Sequence, residues 1–190
     1  MDSIEDKTRY SSYIENMVEH VFISEVLQEA WIRLGCRIDV LRAEVDDSGY
    51  DIVLSLGKVA RYIQLKTSEE GAARSKQNLN IALAEKPNAC IIWIERKPDD
   101  KSGRFVFEYL FFGTEAECTF PDISKYKTAK HTRANADGFK KEREAIREIP
   151  KSAFIRISSM RSLLERLFGD ELTSPSMARS DTEYQEESST

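Results

Sequence analysis

The spacing of apolar positions changes along the chain, and each change marks a different kind of element. From Arg9 to Leu34, "RYSSYIENMVEHVFISEVLQEAWIRL" repeats apolar residues at steps of three and four, holds no Gly or Pro, and stops at Gly35. That predicts one long helix with a glycine C-terminal signal. Beyond it "CRIDVLR", "YDIVLSL", "VARYIQLKT", "ACIIWIER" and "RFVFEYLFFG" alternate or run apolar, are rich in β-branched and aromatic residues, and predict five strands. "SKQNLNIALAEKP" fits either a short strand followed by a helical turn or a single helix. "FKKEREAIRE" has helical spacing and is broken by Pro150. "AFIRI" predicts a last short strand, and "SSMRSLLERLFG" opens on serine and closes on glycine as a capped helix does. A helix, a run of strands and further helices make one α/β or α+β sheet domain over residues 1–169. Residues 170–190 have almost no aliphatic side chains and carry six acids against one arginine, which predicts a disordered acidic tail.

Two of the strands carry polar residues where a strand normally stays apolar. Gly57-Lys58, between Leu56 and Val59, fits a two-residue type II′ hairpin loop. Counting back from it sets Leu56 against Val59, Leu54 against Arg61, Ile52 against Ile63 and Asp51 against Gln64, with Lys66 diagonal on the same face. Asp51, Gln64 and Lys66 are thus expected as one polar cluster at the end of a hairpin. The plain structural alternative is an Asp51–Lys66 ion pair at a sheet rim. The long helix adds a carboxylate, since Glu25 falls on the row of Ile14, Val18, Val21 and Ile32. It either leans toward solvent at the edge of that stripe or, if the helix covers the face of Asp51, joins the cluster. Two carboxylates, an amide oxygen and a lysine suit a hard cation such as Mg²⁺ or Mn²⁺, held by Glu25, Asp51 and Gln64, with Lys66 beside the attacking water. That is the chemistry of phosphodiester hydrolysis.

These residues also carry a family resemblance. "SEVLQEAWIRLG", "GYDIVL" and "IQLKTS" resemble the helix glutamate, the metal-binding aspartate and the final motif of the PD-(D/E)XK, or restriction-endonuclease-like, nucleases, and "QLK" is similar to the QxK variant of the Mrr-type branch. The resemblance implies a central mixed β-sheet flanked by α-helices, with Glu25, Asp51, Gln64 and Lys66 as the catalytic set. Tyr50 stands where many members have proline. Gln64 brings an uncharged amide where many have an acid, so a metal would be held more weakly.

Charge is informative only locally. The chain has 28 Lys and Arg against 33 Asp and Glu, a net charge of −5 that equals the charge of the tail, so the rest is formally neutral. Lys125 to Arg147 is the strongly basic stretch, with eight Lys/Arg against three acids. It is read as a loop and helix that grip phosphates through Lys125, Lys127, Lys130, His131, Arg133, Lys140 and Lys141, or else as a solvated helix face. Three cysteines without metal-ligand spacing suggest a reducing compartment, and the polar start and short apolar runs point to a cytoplasmic chain without a membrane span. The expected function is therefore a metal-dependent DNA endonuclease of restriction, defence or DNA-processing type, in which cutting both strands would favour a homodimer. The alternative is a catalytically silent nuclease-fold subunit that binds nucleic acid or a protein partner.

Overall fold

A computed structural model describes residues 10–42, 49–114, 118–131 and 140–173. Helix α1 spans Ser11–Gln28, continues as a π-helical turn over Glu29–Arg33, and gives way at Gly35, whose φ of +67° lies where a side chain would be strained. Val18, Phe22, Val26 and Ala30 form its buried stripe. Ile32, expected on the buried row, is 70% exposed. The cause is the π-helical turn: the Leu34 N–H donates to the Glu29 carbonyl, five residues back, and the wider turn shifts the phase of the last side chains.

The strands are β1 (Asp39–Arg42), β2 (Ile52–Leu56), β3 (Val59–Glu69), β4 (Lys76–Asn80), β5 (Cys90–Asp99), β6 (Arg104–Gly113), β7 (Thr128–Lys130), β8 (Glu142–Pro150) and β9 (Ile155–Ile157). A short helix α2 (Ile81–Ala84) follows β4, and α3 (Met160–Phe168) closes the domain with a 3₁₀ turn over Gly169–Thr173. Six strands form one sheet in the order β1-β2-β3-β5-β6-β9, with β3 and β5 parallel and all other neighbours antiparallel. The fold is therefore an α/β fold on a mixed sheet. The five strands expected between residues 36 and 113 are all present, and the ambiguous segment resolves as strand β4 followed by the helical turn α2, capped by the Asn80 side chain accepting from the Ala82 N–H.

The two faces of the sheet are covered differently. Cys90, Ile92 and Ile94 of β5 point with Ile52, Leu54, Leu56, Val59 and Ile63 into a core sealed by α1 and α3. Ile91 and Trp93 point the other way, into a second core with Leu79, Leu83 and Ile149. That second face is covered by a three-stranded antiparallel sheet, β4-β8-β7, together with α2. The two longer helices, α1 and α3, thus flank one face only.

That small sheet overturns the helix expected over "FKKEREAIRE". Residues 142–150 form β8, the middle strand between β4 and β7, so its backbone is paired on both sides and Ile149 is fully buried opposite Gln77. Cross-strand pairing outweighs the modest helix propensity of Glu, Lys and Arg. The acidic tail begins later than residue 170, because Leu172 packs against the helix-covered core; residues 174–190 lie outside the described ones. The aromatic run is core only in its second half: Leu110, Phe111 and Phe112 are buried while Val106 is exposed. Cys36, Cys90 and Cys118 are free thiols. Among the described residues no helix is long and apolar enough to cross a membrane.

Candidate active site

The β2–β3 hairpin closes as counted, with Leu56 against Val59, Leu54 against Arg61 and Ile52 against Ile63, and Gly57 at φ +58° supplies the left-handed position a II′ turn needs. The ladder stops there. Asp51 bends out of it, so it does not sit squarely opposite Gln64. Its N–H donates to the Ile63 carbonyl at 2.9 Å, and its Oδ2 accepts the Leu65 N–H at 2.6 Å. The carboxylate has replaced the carbonyl that a longer β2 would have offered. β3 runs on to Glu69, and Asp51 anchors the edge that β2 leaves behind.

Along β3 the side chains alternate between the two covered faces. Gln64, Lys66 and Ser68 share the face toward the small sheet. Ser68 accepts a hydrogen bond from the Trp93 indole at 2.8 Å. Gln64 is 5% exposed, and its Oε1 has no hydrogen-bond partner among the described residues. An orphaned acceptor of this kind costs about 1–3 kcal/mol.

A cleft of about 730 Å³ wraps around this edge. Asp51, Leu65, Lys66 and Thr67 form its floor, and α1 contributes Glu15, Asn16 and Glu19 as one wall. The opposite wall comes from the small sheet and the segment leading into it: Arg74, Lys76 and Asn78, with Lys130 from β7 and Glu148 from β8. Some of these charges are neutralised at the rim, since Glu19 bonds Arg42 at 2.8 Å and Lys76 pairs with Glu148 at 2.6 Å. Glu15 lies on the helix wall, Arg74 and Lys130 on the wall from the small sheet side, and Asp51 and Lys66 together on the floor.

Sequence reasoning missed Glu15 and Glu19. The signal was an acidic pair four residues apart flanking the buried Val18, which any solvated helix face would also show. Glu25, by contrast, is not in the cleft. It lies ten residues beyond Glu15, about 15 Å along the helix axis. There it meets β6: the Tyr109 hydroxyl donates to Glu25 Oε2 at 2.5 Å, in a groove shared with Phe107, Arg156 and Met160. Burial first, and the Glu25 carboxylate second, push the Tyr109 phenol far above its usual pKa, so it stays a donor. α1 packs over the face away from Gln64 and Lys66, its N-terminal part reaches the cleft edge through Glu15, Asn16 and Glu19, and Glu25 lies too far along the helix to join them.

The basic segment divides in the same way. Lys130 reaches the cleft. Lys125 lies with its ammonium 5.3 Å from the Tyr126 ring centre, and the Lys127 carbonyl accepts the Glu148 N–H; neither side chain lines the cleft. His131, Lys140 and Lys141 are exposed beyond Lys130, and Arg133 lies outside the described residues.

Among the described residues no three His, Cys, Asp or Glu side chains gather to hold a metal ion. Of the three expected oxygen donors, Asp51 lines the cleft, Gln64 is buried and is not among the cleft-lining residues, and Glu25 lies in the groove on β6. A single carboxylate in the cleft fits a hard cation only if the ion keeps most of its waters and takes its remaining ligands from phosphate oxygens. Compared with known protein families, with curated proteins and with solved structures, the chain shows no significant match.

Proposed function

We propose that this cleft hydrolyses phosphodiester bonds of DNA with the help of Mg²⁺ or Mn²⁺, making the chain an endonuclease of restriction, defence or DNA-processing type. The observation that carries the reading is the meeting of Asp51, Lys66 and Lys130 in one cleft. Asp51, anchored by the Leu65 N–H, would hold the cation. The ion, when bound, supplies Lewis-acid polarisation of the phosphoryl oxygen and a more acidic water. Lys66 orients the attacking water and stabilises the charge that grows on the phosphate. Lys130 and Arg74 attract the backbone on either side. The D and QxK pattern of the PD-(D/E)XK resemblance fits this hairpin, whereas the helix carboxylates beside it are Glu15 and Glu19.

A second reading, a silent nuclease-fold subunit that binds nucleic acid, is favoured by one observation: Glu25 is engaged by Tyr109 away from the cleft. Incubating the protein with supercoiled plasmid, with Mg²⁺, Mn²⁺ or EDTA, separates the two. Metal-dependent cutting by the wild type and none by Lys66→Ala supports the nuclease. Binding without cutting under every metal condition overturns it in favour of the silent subunit.

A further inference from the structure

β9 pairs with β6 opposite Tyr109, Leu110 and Phe111, and the chain then leaves the sheet through Ser158 and Ser159 to enter α3. The first half of β6, Arg104 to Glu108, is held by β5 in unbroken register on one side and meets no strand on the other among the described residues. Natural sheets blunt such an edge with a proline, a bulge or a lysine. This one carries Phe105, Val106 and Phe107 instead, and Val106 is 53% exposed. Beside it lies the groove of about 300 Å³ that holds the Glu25–Tyr109 pair, bordered by Phe107, Glu108 and Met160.

We infer that this edge pairs with the same edge of a second copy of the chain, antiparallel about a two-fold axis through Val106. The bare stretch is complementary to itself about that centre. Turned on itself, it sets Arg104 against Glu108, Phe105 against Phe107 and Val106 against Val106 of the other copy. Opposite residues share a face, so an opposite-charge pair forms at each end. Glu108 is bonded by Arg156 of its own chain and, with its side chain 43% exposed, keeps acceptor positions for a second cation. On the helix side the rings of Phe105, Phe107 and Tyr109 stand in a row at centroid spacings of 6.3 and 6.5 Å, and the second copy's Phe105 extends that row over Phe107 beside the groove. The register also clears β9: the incoming strand ends at Arg104 opposite Glu108, one residue short of Tyr109, where β9 begins. A shift of the strands in either direction loses both charge pairs. Because a two-fold contact closes on itself, the edge is used up in a dimer and does not propagate. The inference stands apart from the nuclease reading, since none of these residues lines the cleft.

One short ladder with its flanking side chains is a small interface, so the dimer is expected to be weak, with a Kd on the order of 10–100 µM. Sedimentation velocity of the full chain at low salt, at concentrations on both sides of that range, tests it. Arg104→Glu alone sets acid against acid at both ends, and Glu108→Arg alone sets base against base, so each should associate at least tenfold more weakly than the wild type. Mixed in equal amounts, the two variants bring opposite charges together at both ends and should dimerise again. Val106→Lys, at the exposed two-fold position, should stay monomeric while melting within a few degrees of the wild type. A wild type that is monomeric throughout overturns the inference. So does a Val106→Lys variant that dimerises like the wild type, or a mixture of two folded variants that associates no better than either alone. If Glu108→Arg does not fold for want of its bond to Arg156, Val106→Lys still decides.

Discussion

Glu25 and Asp51 are both half-buried carboxylates beside the same sheet, yet their surroundings differ in kind. Glu25 sits under α1 in a groove on β6, where Tyr109 satisfies it with a short hydrogen bond. Asp51 sits at a strand edge, anchored through Oδ2 by a backbone N–H, with Lys66 and a charged cleft in front of it and an orphaned amide acceptor on the neighbouring strand. A carboxylate held by a buried phenol serves the fold. One that lines an open cleft lies where solutes can reach it. The lesson extends to the two faces of the sheet: the helix side packs aliphatic and aromatic residues, whereas the small-sheet side holds Gln64, Gln77, Ser68 and Glu95 among its buried groups.

The comparison can be broken most sharply at Asp51. Asp51→Asn keeps an oxygen for the Leu65 N–H but loses the charge, so cutting should fall by about 10²- to 10³-fold or more while the melting temperature stays within a few degrees. If activity persists, Asp51 belongs with Glu25 as a structural carboxylate. Next in size is Tyr109→Phe, which removes a hydrogen bond to a charged acceptor and should cost about 1.5–3 kcal/mol. At roughly 2–4 °C per kcal/mol for a chain of this size, calorimetry would see a clear drop in melting temperature, with cutting at lower temperature unchanged.

The same pair makes a pH prediction. Tyr109 binds its proton more tightly folded than unfolded, so its contribution is complete below the usual tyrosine pKa of about 10 and declines as pH rises above it. The stability gap between wild type and Tyr109→Phe, measured in urea at pH 8 and pH 10.5, should narrow at the higher pH. A constant gap would mean that the phenol does not carry the difference.

The smallest effect concerns Arg61, the charged exception on the helix-covered side. It is fully buried, donates from one terminal nitrogen to the Thr114 carbonyl at 2.8 Å, and has no hydrogen-bond partner for Nε or the other terminal nitrogen among the described residues. Replacing an incompletely satisfied buried cation by an apolar side chain of similar length is often neutral or stabilising. Arg61→Met is therefore expected to leave stability unchanged or raise it by about 1 kcal/mol, and a large loss in a melt would show that the guanidinium holds this corner together.

Much of the architecture could be read from local pattern. The long helix and its glycine stop, the hairpin and its register, the strands from β1 to β6, and the serine cap of α3 rest on interactions within a few residues, where period, turn chemistry and capping decide. β8 could not be read that way, because a charged segment of helical spacing became a strand only when β4 and β7 offered it partners from distant parts of the chain. The site divides along the same line. Hairpin counting, a local argument, put Gln64 and Lys66 on one face, but it did not show that Asp51 leaves the ladder or that Gln64 stays outside the cleft lining. The helix carboxylate was not placed, because a stripe tells which side of a helix is buried without telling which face of the sheet it covers. The sequence by itself determined the elements and the chemistry near the hairpin. The tertiary structure alone decided that α1 lies on the face away from Gln64 and Lys66, that Glu15 and not Glu25 looks into the cleft, and that the basic segment arrives there as a ribbon. Those are matters of long-range packing, and no short stretch of residues encodes them.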